Sequence, residues 1–151
     1  MTWRAAFFSQ AWSDFNLFKD LNRPDVPLCH RLHYLQMATE KLAKGFLCSR
    51  KRDPPPPRHA VFVKFLELSK RRSVWRSKLG YGQNGRAYAA YVDSLIPCAK
   101  KIEDLAPEGG KLGKVNPEYP WIDASGTVQC PISYPFAEFD WRELNQIKFR
   151  G

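Results

Sequence analysis

No apolar run in this chain approaches the ~18 residues needed to span a bilayer, and the N-terminus lacks a basic start, a long apolar stretch and a small-residue cleavage site. A soluble, cytoplasmic protein without a membrane partner is therefore expected. Cysteine is sparse: Cys29, Cys48, Cys98 and Cys130 stand far apart, without the paired spacing of zinc sites. Mostly buried, reduced thiols follow, and neither a metal nor a cofactor is indicated. Acidic residues are almost missing from one stretch. Between Arg50 and Arg86 there are eleven Lys and Arg but only Asp53 and Glu67, while the rest of the chain balances at thirteen of each sign. The whole net charge of +9 thus sits on one segment, which either attracts a polyanion or serves as a solvated surface. Dinucleotide and phosphate-loop fingerprints are also missing. Ser77 to Arg86 holds three glycines, but their spacing is wrong and no strand precedes them, so a flexible connection is expected.

What is present is helical periodicity. With 151 residues and 44% hydrophobic content, the chain can fill one core as a single domain. Trp3 to about Leu21 brings Phe7, Phe8, Ala11, Trp12, Phe15 and Phe18 to helical spacing. Prolines at 24 and 27 separate this helix from the next, about Val26 to Cys48. In that second helix Leu28, Leu32, Leu35, Leu42 and Phe46 form one apolar seam, and Tyr34, Ala38 and Gly45 another. A helix with two seams is either central in its bundle or shared with a second subunit. His33, Gln36, Glu40 and Lys44 occupy its remaining face, the first place to look for chemistry. Glu40 and Lys44 also have the spacing of an ordinary surface ion pair.

Pro54 to Pro57 favour an extended linker. A third helix starts near His59, carries Val61 to Leu68, and ends in Lys70, Arg71 and Arg72. The fourth, Ala87 to about Leu105, should kink at Pro97. From Pro107 to Phe136 aromatics sit beside prolines without helical period, an arm expected to wrap over the bundle through Tyr119, Trp121, Tyr134 and Phe136. A short helix, about Ala137 to Phe149, closes the chain. The predicted architecture is an all-α bundle of four to five helices over residues 1–106, with the arm, 107–151, packed on the same domain.

LHYLQMATEKLAKGFL, followed by a proline-containing loop and PRHAVFVKFL, resembles the HEPN superfamily, and Pro117-Glu118-Tyr119-Pro120 is similar to the Tyr-Pro element after its bundle. The likeness covers Leu28 to Leu68 best and Asn116 to Phe136 more weakly. It implies a homodimeric bundle of a prokaryotic defence or toxin–antitoxin locus, sometimes a metal-independent ribonuclease and sometimes an RNA- or nucleotide-binding module, with a possible partner protein from the same locus. The ribonuclease signature of that family is an Arg, four to six residues, and a His. Arg52 and His59 match it, as do Arg23 and His30. A polyproline linker would hold the Cα atoms of Arg52 and His59 roughly 20 Å apart at ~3.1 Å per residue, so that Arg would reach His by the linker folding back or from the other subunit.

Two functions are thus expected to compete. In one, the chain is an endoribonuclease, with His59 as acid or base and Arg52 or Arg58 on the phosphate. His59 then lies beside His33, Glu40 or Lys44, with helices two and three joined by a short linker and packed antiparallel, and Arg71, Arg72 and Arg76 bind the polyanion. In the other, it is a non-catalytic module for nucleic acid, a nucleotide or a partner protein. For His59 the plainer alternative is a helix-start residue at the bundle surface.

Overall fold

The computed structural model describes residues 1–48, 59–106, 114–137 and 139. Among these, five helices and one two-stranded hairpin follow in order: α1 (Trp3–Asp20), α2 (Leu28–Leu47), α3 (Phe62–Ser69), α4 (Ser73–Lys78), α5 (Gly85–Asp104), β1 (Trp121–Ile122) and β2 (Val128–Gln129). The bundle is mainly helical, as the periodicity requires. The expected closing helix from Ala137 to Phe149 lies, apart from Ala137 and Phe139, outside the described residues.

Local chemistry explains where the helices start. The Thr2 hydroxyl accepts from the Ala5 amide at the head of α1, and the Asn84 side chain accepts from Ala87 at the head of α5. That asparagine starts α5 two residues earlier than its apolar period indicated. The helix then runs unbroken through Pro97, whose ring lies on the exposed face where the missing amide is least costly. α4 was not expected. It forms because Trp75 packs on Phe46 and Phe65, with ring centroids 5.0 and 5.3 Å away. The glycine-bearing turn that follows uses positive φ at Gly80 and Gly82, and the Arg76 Nε donates to the Gly82 carbonyl at 2.9 Å.

α2 is the central helix, and both of its seams are covered within the chain. α1 runs antiparallel along one side: Arg4 reaches the Gly45 carbonyl, and Lys41 pairs with Asp14 at 2.6 Å. Ala43 belongs to a cluster with Phe65, Leu66, Tyr88, Val92 and Ala99 of α3 and α5 on the other. Leu42, expected inside, is 38% exposed at the margin.

The direction of α3 differs from expectation. Glu40 meets His59 and Phe46 meets Phe65, the same offset of 19 residues at both points, so α2 and α3 run the same way and are not antiparallel. The expectation rested on a short linker, which does not by itself fix the direction of the helix that follows. α5 is antiparallel to α3, with Val63 bonded to Glu103 at one end and Lys70 to Asp93 at the other.

The described part of the arm packs over the end of the bundle where α2 begins and α5 finishes. Trp121 and Phe136 join Cys29, Leu32 and Leu105 in a second apolar cluster, with Tyr134 against it. Tyr119 is the exception, at 57% exposed. The hairpin in the arm was not foreseen: two-residue strands have no period to read, and the turn is held by Asp123. Its carboxylate accepts from Ser125, Gln129 and Thr127, bonds that lower its pKa to about 2. Of the thiols, Cys29 and Cys48 are buried, Cys98 is partly covered, and Cys130 is exposed because it follows the hairpin.

The closest packing in the α1–α2 interface is at Gly45. A Cβ there would lie 2.7 and 2.8 Å from the Phe8 ring and 3.2 Å from Phe7 Cβ. Gly45→Ala gains about 1 kcal/mol of helix propensity and loses about 1–3 to overpacking. A net loss of about 1 kcal/mol is expected in urea unfolding, growing for Gly45→Val as the displaced ring finds no room.

Candidate functional site

Successive turns of α2 stack Gln36, Glu40 and Lys44 on one side of the helix. The segment entering α3 brings His59 against them. Gln36 Nε2 donates to Glu40 Oε2 at 2.8 Å, Lys44 Nζ donates to Oε1 at 2.6 Å, and His59 Nδ1 lies 3.0 Å from Oε2. Glu40 is buried and the Lys44 side chain is only 13% exposed, so the surface ion pair allowed by their spacing is an interior one. Burial alone would raise the Glu40 pKa. The bonds from Lys44, Gln36 and His59 outweigh it and hold the carboxyl below its ordinary value.

A carboxylate can only accept, so His59 Nδ1 carries the proton of this contact and Nε2 is the nitrogen left for a ligand. The His59 side chain is 49% exposed, against 9% for Glu40. The ring is therefore anchored inside and presented outside. Its backbone is fixed as well: Val61 turns back to the His59 carbonyl at 3.0 Å, and Glu103 of α5 holds the Val63 amide at 2.8 Å at the start of α3. Glu103 had no signal in the sequence, since nothing in helical spacing shows that α5 would cap α3.

The other expected site residues separate. His33 is seven residues before Glu40, roughly 10 Å along the axis at 1.5 Å per residue. There it faces Glu118 of the arm at 3.9 Å and Tyr34 edge-on, away from His59. Arg71, Arg72 and Arg76 lie past the opposite end of α3, a helix of eight residues and so about 12 Å long. The Arg72 guanidinium is 5.3 Å from the Phe46 ring, and Arg76 is engaged by Gly82. Arg71 is exposed. Arg52 and Arg58 lie outside the described residues.

No family model, curated protein or solved structure matches this chain. The functional reading therefore rests on the residues themselves. Among the described residues no group of three His, Cys, Asp or Glu side chains is placed to hold a metal ion.

The arrangement supplies a histidine of fixed orientation with a buried carboxylate behind it, the elements of proton transfer to or from a bound hydroxyl. The basic residues past the far end of α3 supply charge for a polyanion but no fixed partner for it. If RNA lies across them, binding should weaken with salt through counterion release, and Arg71→Ala should reduce the slope of log K against log[salt] by about 1. Arg76→Ala should also loosen the Gly80–Gly82 turn, so its effect on binding should come with a change in proteolytic sensitivity there. Filter binding over a salt series checks both.

Proposed function

We propose that this chain is an RNA-engaging bundle of HEPN type from a bacterial defence or toxin–antitoxin-like system, and that it cleaves RNA without a metal. The observation that carries the proposal is the contact of His59 Nδ1 with the buried carboxylate of Glu40, which leaves Nε2 for a ligand on a side chain that is half exposed. In RNA cleavage by its own 2′-hydroxyl, one group must take a proton from that hydroxyl and one must return a proton to the leaving oxygen. His59 Nε2 does the first as a neutral base or the second as an acid, and Glu40 stabilises the imidazolium between these states. The cation on the phosphate is Arg58, next in the chain, or Arg52 at the family's spacing. The working unit is a homodimer, and a protein from the same locus is its expected regulator.

Incubation with total RNA, with and without chelator, is the direct test. Cleavage that persists in chelator supports the proposal. Cleavage lost in chelator rejects the metal-free chemistry. Binding without cleavage, alone and with proteins of its locus, assigns the chain to the non-catalytic class.

A further inference from the structure

Two thiols meet where the arm covers the bundle. Cys29, the second residue of α2, is 2% exposed and packs with Leu32 and Leu105 of the bundle and with Trp121 and Phe136 of the arm. Cys130 follows it by most of the chain and belongs to the covering layer, directly after Gln129, the strand partner of Trp121. Its carbonyl accepts from the amides of Ser133 and Tyr134, each at 3.1 Å. The Tyr134 ring in turn lies 4.9 Å from Trp121 and 5.0 Å from Phe136. Position 130 is thus tied on both sides to the two aromatics that pack with Cys29, while its own side is open to solvent. The two sulfurs also sense each other's charge. Burial pushes the Cys29 thiol up, the amides of His30 and of Cys29 itself draw it down, and the Cys130 thiol across the interface adds a further upward push.

We infer that Cys29 and Cys130 are a redox-sensitive pair, joined by a disulfide on exposure to a peroxide, which fastens the arm to the head of α2. Exposure decides where oxidation begins. The Cys130 thiolate attacks one oxygen of hydrogen peroxide, the O–O bond breaks, and Cys130 becomes a sulfenic acid while the other oxygen leaves and is protonated to water. The Cys29 thiolate, solvated by the first-turn amides of α2, then attacks the Cys130 sulfur. The S–O bond breaks, and the hydroxide that leaves takes up a proton as a second water. Two thiols have lost two electrons and two protons, and one peroxide has gained them. Cys48 is remote from this chemistry: it is buried at the other end of α2, nineteen residues on and roughly 28 Å along the axis at 1.5 Å per residue. Cys29 lies eleven residues before Glu40, roughly 16 Å by the same measure, so the bond leaves the His59 contact in place. It closes a loop of about a hundred residues and should stabilise the folded chain by restricting the unfolded one.

Treatment of the full chain with a small excess of hydrogen peroxide, blocking with N-ethylmaleimide in denaturant and mass mapping of the digest test the inference. The peptides of Cys29 and Cys130 should be recovered joined, within one protomer on a non-reducing gel, and should separate in dithiothreitol. Cys48 and Cys98 should be recovered alkylated. The oxidised chain should melt about 5 °C or more above the reduced one, and Cys130→Ser should abolish both the joined peptide and the rise. Cys29→Ala, with helical circular dichroism as the check on folding, should leave Cys130 as a sulfenic acid that dimedone captures. The maps of wild type and Cys130→Ser decide the matter even where Cys29→Ala does not fold. A disulfide between two protomers, an alkylated Cys29 beside a Cys130 oxidised to sulfinic acid, or a Cys29–Cys130 bond that forms equally well in urea overturns the inference.

Discussion

His59→Ala should reduce RNA cleavage by about 10²- to 10⁴-fold, the usual contribution of a positioned acid or base. The ring is half exposed and bonds Glu40 through Nδ1, so its loss should lower stability by about 1 kcal/mol. Matched urea transitions for wild type and variant establish that folding is intact. Full cleavage by the variant would remove His59 from the chemistry. The partner cation is resolved by two further variants. If Arg58→Ala is inactive and Arg52→Ala active, the spacing of Arg52 and His59 is a coincidence of the sequence. If Arg52→Ala is inactive, mixing it with His59→Ala distinguishes the source of the arginine: activity recovered in the mixture means that it crosses from the other subunit.

Glu40→Leu should be the most damaging single change in the site. It leaves Lys44, whose side chain is 13% exposed, with its ammonium beside an apolar chain, and removes the acceptor of Gln36 and His59 together. Breaking a buried pair from one side costs about 3 kcal/mol, or roughly 6–12 °C in Tm for a domain of this size. Acid sensitivity gives an independent reading. The Glu40 carboxyl is held below its ordinary 4.5 in the folded state, so the unfolded chain binds the proton more readily. Its contribution is complete above that ordinary value and is lost as pH falls through the lowered one. Glu40→Gln should therefore be less stable than wild type near neutrality, with the gap closing towards acid. Paired melts from neutral pH to about pH 3 measure that gap, and a constant difference would mean that the Glu40 charge does not contribute. Cleavage should fall in the same variant because His59 loses the group that orients it.

Much of this arrangement was legible in the sequence. Apolar period located α1, α2 and α5 and placed His33, Gln36, Glu40 and Lys44 on one stripe, because an amphipathic helix writes its faces into its spacing. The proximity of His59 to Glu40 followed from adjacent helices. What spacing could not convey was direction: the same apolar residues suit parallel and antiparallel α3, and the choice separates His33 from His59. α4 has six residues and depends on Trp75 finding Phe46 and Phe65, a contact between distant segments. The arginines past α3 illustrate a different limit. Charge counting located the basic stretch but could not say that Arg72, exposed like Arg71, would lie near the Phe46 ring and that Arg76 would bond to the Gly82 carbonyl.

The arm that closes the start of α2 also sets an order of assembly. α1 and α2 are neighbours in sequence and can pair as soon as both exist, whereas Cys29 and Leu32 wait for Trp121 and Phe136, which follow them by most of the chain. Contacts so distant in sequence are slow to form, since the loop entropy must be lost before they contribute. During synthesis the start of α2 therefore emerges with its apolar side uncovered and stays so until the hairpin has left the ribosome. In that interval it is a natural point of attachment for a chaperone, and destabilising the hairpin should reduce the yield of folded protein in the cell more than its equilibrium stability.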